Sequence, residues 1–190
     1  MTADRTMLVT ILVLVALVQV SVPVSMIIRR ELTLRDGVEY RFRTRPVDPY
    51  DAFRGRYVAL GFENTSVAVT NAHAFRPGRK VYVGLDADAD GFARLAAVSL
   101  RPPTTGDYLK TKVRYATGTA VVVELPFDRY YMNEREAPAA EQAYNAAARD
   151  GKRDAYALVR VRAGMPVIEN LFIDEVPMAA FLATRAAEAK

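Results

Sequence analysis

Two short stretches gather the residue types that do chemistry. "RPVDPYDAFRGRYVALGF", residues 45–62, sets Arg45, Arg54 and Arg56 beside Asp48 and Asp51, with two prolines and two tyrosines. "PFDRYYMNERE", residues 126–136, adds Asp128, Arg129, Tyr130, Tyr131, Glu134 and Glu136. A guanidinium can hold a carboxylate or phosphate through two parallel N–H bonds, and a positioned carboxylate can serve as general acid or base. Two chemistries are therefore open: binding of an anionic or aromatic partner group, or hydrolysis or elimination with Asp48 or Glu134 moving the proton. A residue before proline is held out of the helical region, so Arg45 and Asp48 are extended, and Gly55 supplies a torsion that other residues avoid. The first stretch reads as a stiff elbow between two strands. The plainer account is that its charges neutralise one another at a bend. In the second stretch, Glu134 and Glu136 suit a helix start, where acidic groups meet the positive end of the dipole. Arg129 and the tyrosine pair have no such explanation, and Tyr and Arg are the types that most often anchor interfaces. The binding candidates are Arg45, Asp48, Arg54, Tyr57, Arg129, Tyr131 and Glu134; no catalytic residue and no metal ligand is assigned.

The remaining motifs carry less. "DADADG", residues 86–91, reproduces the opening of a calcium loop, but Ala97 stands where a bidentate Glu belongs and the flanks read as strands. Asp and Gly are also the residues of a tight hairpin turn, and that is the reading adopted. His73, the only histidine, lies in "TNAHAFRPG" with no metal-ligand spacing and no identifiable nucleophile near it. "TTGDY" has one glycine and no Lys-Ser pair, so it is a turn and not a phosphate loop. No cofactor motif is present. Without cysteine the chain can form no disulfide and no thiolate site. The net charge of +4 is spread along the chain, with no dense basic stripe or stacking motif for nucleic acid. A basic surface of this kind suits anionic lipid headgroups.

The elements that must position these residues begin with an uncharged run, Met7–Ile28. Its roughly 22 residues match the ~30 Å apolar core of a bilayer at 1.5 Å per residue, so the lipid bilayer is the first expected partner. A cleaved signal peptide competes, but its apolar region is usually ~7–15 residues and no clean A-x-A site follows. Arg29, Arg30 and Arg35 after the run outnumber Arg5 before it, which tilts the positive-inside rule toward a cytoplasmic domain; large domains translocate regardless. The expected division is a membrane anchor with a short flank over 1–30 and a β-rich domain over 31–190.

Within that domain, "VEYRFRTRP" alternates, with Tyr40, Phe42 and Thr44 on one face and Arg41, Arg43 and Arg45 on the other. "YVALGFE" follows the elbow as a second strand. "KVYVGLDADADGFARLAAVSL" reads as a hairpin, and "YLKTKVRYA" with "TAVVVELPF" as another strand pair. "APAAEQAYNAAARD" has Pro138 near its start and Gly151 past its end, which are helix boundaries. "DAYALVRVRAG" and "PVIENLFID" return to strand, and a helix begins near Pro177. The fold class is mainly β: a small antiparallel barrel or sandwich with one internal helix and a C-terminal helix, behind one transmembrane helix.

The elbow also resembles the hallmark of the GDYXXLXY family, membrane-anchored bacterial proteins of uncharacterised function. The hallmark falls at Gly55-Arg56-Tyr57-Val58-Ala59-Leu60-Gly61-Phe62, after Pro-Val-Asp-Pro and Phe-Arg elements typical of the family. "RYYMNE" is similar to its Arg-Tyr-Phe-x-x-Glu element, and "VRVRAGMPVIENLFID" to its ending. The "GDYL" at 106–109 is a decoy, since it lacks the prelude and Thr111 stands where Leu is expected. Arg56 replaces the hallmark Asp and Phe62 the final Tyr, so a catalytic role for that Asp would not carry over. The resemblance implies a single-pass protein of the cytoplasmic membrane with its domain usually outside, in the bacterial envelope, often encoded near multi-spanning membrane proteins. The expected function is an accessory protein with such a membrane protein as partner, ahead of a module for glycan or lipid headgroup and then of a carboxylate-dependent hydrolase or lyase. The resemblance itself implies no reaction.

Overall fold

The computed structural model describes residues 2–45, 57–150 and 155–188. Helix α1, Thr2–Asp36, contains the apolar run, and its Thr6–Asp36 portion is long and apolar enough to cross a membrane. The hydroxyls of Thr10, Ser21 and Ser25 donate to the carbonyls of Thr6, Val18 and Val22 at 2.9, 2.9 and 2.7 Å. Such back-bonding is how polar residues are satisfied in an apolar helix. The segment after the run, expected only as a short flank ending at a turn, continues the helix to Asp36. Thr33 there is buried, and the Gly37 N–H closes the helix on the Thr33 carbonyl at 2.9 Å. A Cβ at Gly37 would stand 2.3 Å from that carbonyl oxygen, so only glycine fits the joint.

The strands follow in chain order as β1 (Val38–Arg45), β2 (Tyr57–Ala59), β3 (Gly61–Phe62), β4 (Ser66–Ala68), β5 (Lys80–Ala87), β6 (Ala93–Ser99), β7 (Tyr108–Thr117), β8 (Ala120–Glu124) and β9 (Arg129–Tyr131). After helix α2 (Ala137–Asp150) come β10 (Ala155–Arg162), β11 (Met165–Ile173), β12 (Val176–Pro177) and helix α3 (Met178–Glu188). One five-stranded sheet runs β12-β11-β10-β1-β3 and the other β4-β8-β7-β5-β6, with β2 and β9 forming a two-stranded ribbon. Every strand pairing is antiparallel. A parallel bridge between Arg41 and Phe92 joins the sheets at one edge. The mainly β fold with internal and C-terminal helices is as the residue pattern indicated.

Both sheets feed one core, in which Val83, Leu109, Val121, Leu171 and Ile173 are fully buried. Each such aliphatic side chain contributes about 1.5–3 kcal/mol on burial. β1 behaves as its alternation requires: Phe42 and Thr44 are buried, while Arg41 and Arg43 face out and are engaged by the chain itself. Arg41 pairs with Glu175 and Arg43 with Asp90, each at 3.2 Å, and Arg43 also covers the Phe92 ring at 4.1 Å. In α2 the buried residues Ala140, Ala143, Tyr144 and Ala147 recur at helical spacing. Asn133 caps its start, accepting the Arg135 N–H on its side chain and the Ala137 N–H on its carbonyl.

The expected second strand is instead two. Tyr57–Ala59 pairs with β9, whereas Gly61–Phe62 pairs with the end of β1. Leu60 makes the transfer, its N–H donating to the Asp128 carbonyl at 2.9 Å. The acidic turn of the β5–β6 hairpin serves its own fold. Asp88 accepts the N–H groups of Asp90 and Phe92 at 3.0 and 2.8 Å, and Arg94 holds Asp86 at 3.0 Å. That guanidinium, together with the Ala87 N–H, keeps the Asp86 carboxyl below its ordinary pKa. His73 lies exposed in a loop, its backbone N–H bonded to Asn71.

Candidate functional site

The hallmark stretch reaches its neighbours by simple alternation. Val58, Leu60 and Phe62 point into the core, which leaves Tyr57 and Ala59 on the outer face of the ribbon. The register puts Tyr57 opposite Tyr131 and Ala59 opposite Arg129, so both outward residues of β9 share that face. The Arg129 guanidinium carbon stands 5.0 Å from the Tyr57 ring centre, within cation–π range. The Tyr57 and Tyr131 rings are 5.6 Å apart and tilted by 56°. Tyr131 is 64% exposed, an unusual setting for a ring this large. The neighbouring Tyr131, followed by Tyr57 and Asp128, raises the Arg129 pKa above the ordinary arginine value. The charge on this face is therefore permanent. Below it, Tyr130 turns inward and its hydroxyl bonds to Asn170 Oδ1 at 3.2 Å, pinning β9 to β11.

Arg45 lies beside this ribbon at the end of β1. Its carbonyl accepts the Tyr144 hydroxyl at 3.0 Å, and burial raises the pKa of that phenol, against a smaller opposing effect of Thr44. An open groove of about 480 Å³ runs from Arg45 over Leu60–Phe62 to Thr65, Arg114, Glu124 and Asp128. Asp128 connects the groove to the aromatic face, since its carboxylate approaches Arg129 Nε at 3.7 Å. Glu134 sits exposed in the turn between β9 and α2.

Of the residues singled out from sequence, the structure brings Tyr57, Arg129 and Tyr131 together and places Arg45 on the adjoining groove. Asp48 and Arg54, like the rest of the elbow from 46 to 56, lie outside the described residues. Arg114 and Glu124 were not foreseen. The outward positions of β7 and β8 alternate clearly, but nothing local says that these strands flank the β2–β3 corner. Two guanidinium groups and two carboxylates in one open groove can recognise a charged group. No cluster of metal-ligating residues occurs among the described residues.

A family model described as GDYXXLXY protein matches residues 19–171. The chain belongs to the GDYXXLXY family. No curated protein and no solved structure matches it. The match takes in the second half of α1, both sheets as far as Leu171, the ribbon and α2. Tyr57–Phe62, the described part of the stretch that resembles the hallmark, is the corner where strand pairing passes from β9 to β1. Phe62, where the hallmark has Tyr, packs edge-on against Phe42 and Phe127 at 6.1 and 5.1 Å. A phenol hydroxyl is not needed in that apolar cluster, so the corner keeps its packing despite the departure.

Proposed function

We propose that this member of the GDYXXLXY family is an accessory protein of the bacterial envelope, held at the cytoplasmic membrane by α1 with its β domain outside. Its working surface is the Tyr57–Arg129–Tyr131 face with the Arg45 groove beside it, and Asp48, Arg54 and Glu134 complete that surface. The partner is the extramembrane part of a multi-spanning membrane protein. The supporting observation is the Arg129 guanidinium laid over Tyr57 beside an exposed Tyr131 ring. A tyrosine–arginine cluster on an open face is the composition of an interface centre, and an open face does not sequester a reaction from water.

A glycan-binding module is the second reading, favoured by the same exposed Tyr131 ring, on which a sugar could stack. Co-purification from membranes separates the two. Arg129→Ala and Tyr131→Ala should keep the melting temperature of the parent while losing a co-purifying membrane protein. Unchanged capture by both variants overturns the partner reading. Capture that is competed by soluble envelope glycan favours the second.

A further inference from the structure

A second charged surface lies on the outer face of the β5–β7 pair. Lys80 stands directly opposite Lys112, and Lys110 opposite Tyr82. The three lysines border an open groove of about 630 Å³ with Val81, Leu125 and Pro126 among its walls. Like charges directly opposed across strands repel. Glu124 is opposite Lys112 on the other side, yet none of the three ammonium groups is ion-paired with a carboxylate among the described residues. Arg41, Arg43 and Arg94, by contrast, each have one, and Arg160 has two.

The position of this patch says what faces it. Val38, the first residue of β1, pairs with Val161, and the β10–β11 hairpin extends beyond that pair to its turn at Ala163 and Gly164. α1 packs on both strands of this hairpin, so the hairpin tip lies at the end of the domain where α1 joins. The Gly164 carbonyl accepts the Lys110 N–H at 3.0 Å, and the Tyr108 ring and Lys110 stem press on Gly164 so closely that a Cβ there would meet them at 2.5 and 2.8 Å. Lys110 is thus fixed at the α1 end. In one direction along β7 and β5, Asp107 accepts the Tyr40 hydroxyl and Phe92 bridges to Arg41, so the strands leave the α1 end on that side. Lys80 and Lys112 lie about 7 Å beyond Lys110 on the side away from Tyr40.

We propose that this lysine face docks on the phosphate headgroups of anionic lipids in the bilayer that α1 enters. The negative potential of such a surface fades within a Debye length of ~8 Å. Lys80 and Lys112 therefore couple at least as strongly as Lys110. The inference rests on the membrane reading of α1 and is independent of the partner assigned to the Tyr57–Arg129 face.

The test uses the full chain in nanodiscs of phosphatidylcholine, with or without phosphatidylglycerol, and reads the amine-acylation rate of each lysine by mass spectrometry. Labelling of Lys80, Lys110 and Lys112 should each slow about fivefold in the anionic discs, the change equivalent to ~1 kcal/mol per basic residue at such a surface. High salt should abolish the difference between the lipids. Equal rates in the two lipids, or protection of Lys110 without protection of Lys80 and Lys112, overturn the proposal. Equal protection by inorganic phosphate in phosphatidylcholine discs also overturns it, marking a free-anion site instead. Failure of the chain to assemble with discs at all overturns the membrane reading of α1 itself.

Discussion

The Tyr144 hydroxyl donates to the Arg45 carbonyl across 3.0 Å, fastening α2 to the last residue of β1. The same β1 terminus is held from the other side by Thr44, whose hydroxyl donates to the Ala155 carbonyl at 2.6 Å. The entry to the elbow is thereby fixed by two elements far apart in sequence. Tyr144→Phe keeps the buried ring and removes only the bond, so it should cost about 1 kcal/mol in urea unfolding. Tyr144→Ala, which also empties a fully buried site, should cost about 3–5 kcal/mol. Similar losses for the two would mean that the ring contributes nothing beyond its hydroxyl.

The link between the sheets carries a pH signature. The Tyr40 hydroxyl donates to Asp107 Oδ2 at 3.0 Å, and burial, followed by this carboxylate, pushes the Tyr40 pKa up to about 12. An unfolded tyrosine titrates near 10. Between these values the folded state binds more protons than the unfolded one, so stability falls as the pH rises. The contribution is complete below about pH 10 and is lost by about pH 12. Denaturation midpoints measured across that window should decline less steeply for Tyr40→Phe than for the parent.

Gly164 tests the seam between hairpin and sheet. It has φ +79° and no space for a Cβ, whereas Gly78, at φ +78°, faces open space. Gly78→Ala should cost only the left-handed backbone penalty, about 1–2 kcal/mol. Gly164→Ala adds overpacking against Tyr108 and Lys110, for a total of about 2–4 kcal/mol. Thermal or urea unfolding gives the comparison directly, and equal losses would contradict the seam as described.

Arg160 gathers three acceptors where α1 meets the sheet. Its guanidinium pairs with Glu39 and Glu169 and donates to the Gly37 carbonyl at 3.2 Å. These contacts raise its pKa above the ordinary arginine value, Glu169 first. Because the carboxylates are partly exposed, Arg160→Ala should cost no more than about 1 kcal/mol globally. Hydrogen exchange at Gly37–Glu39 should nevertheless quicken. Arg160→Lys should not restore protection, since an ammonium lacks the planar fork that reaches all three acceptors.

Most of the frame is legible in the residues because its signals are local. The alternation in Tyr40–Thr44, the Asp-Gly turn at 86–91 and the alanine-rich run with Pro138 each specify an element without help from elsewhere. Leu60 shows where local reading fails. The run "YVALGFE" has continuous strand character, and only its two partners, β9 on one side and β1 on the other, divide it. β9 itself is three residues, Arg-Tyr-Tyr, with no apolar alternation to announce it. The candidate site depends on that pairing. Tyr57 and Arg129 were each conspicuous by type, but their meeting is a fact of register. Arg114 was masked for the opposite reason, being one basic residue among several on the outward side of a long strand.

Gly37 leaves little freedom between helix and sheet, with its N–H spent on Thr33, its carbonyl on Arg160 and no room for a side chain. Such a joint transmits rotation. In the proposed membrane setting, the compass direction in which the Tyr57–Arg129 face looks is then set by how α1 is turned about its own axis. One residue added to the helix swings that heading by about 100°, and three or four nearly restore it.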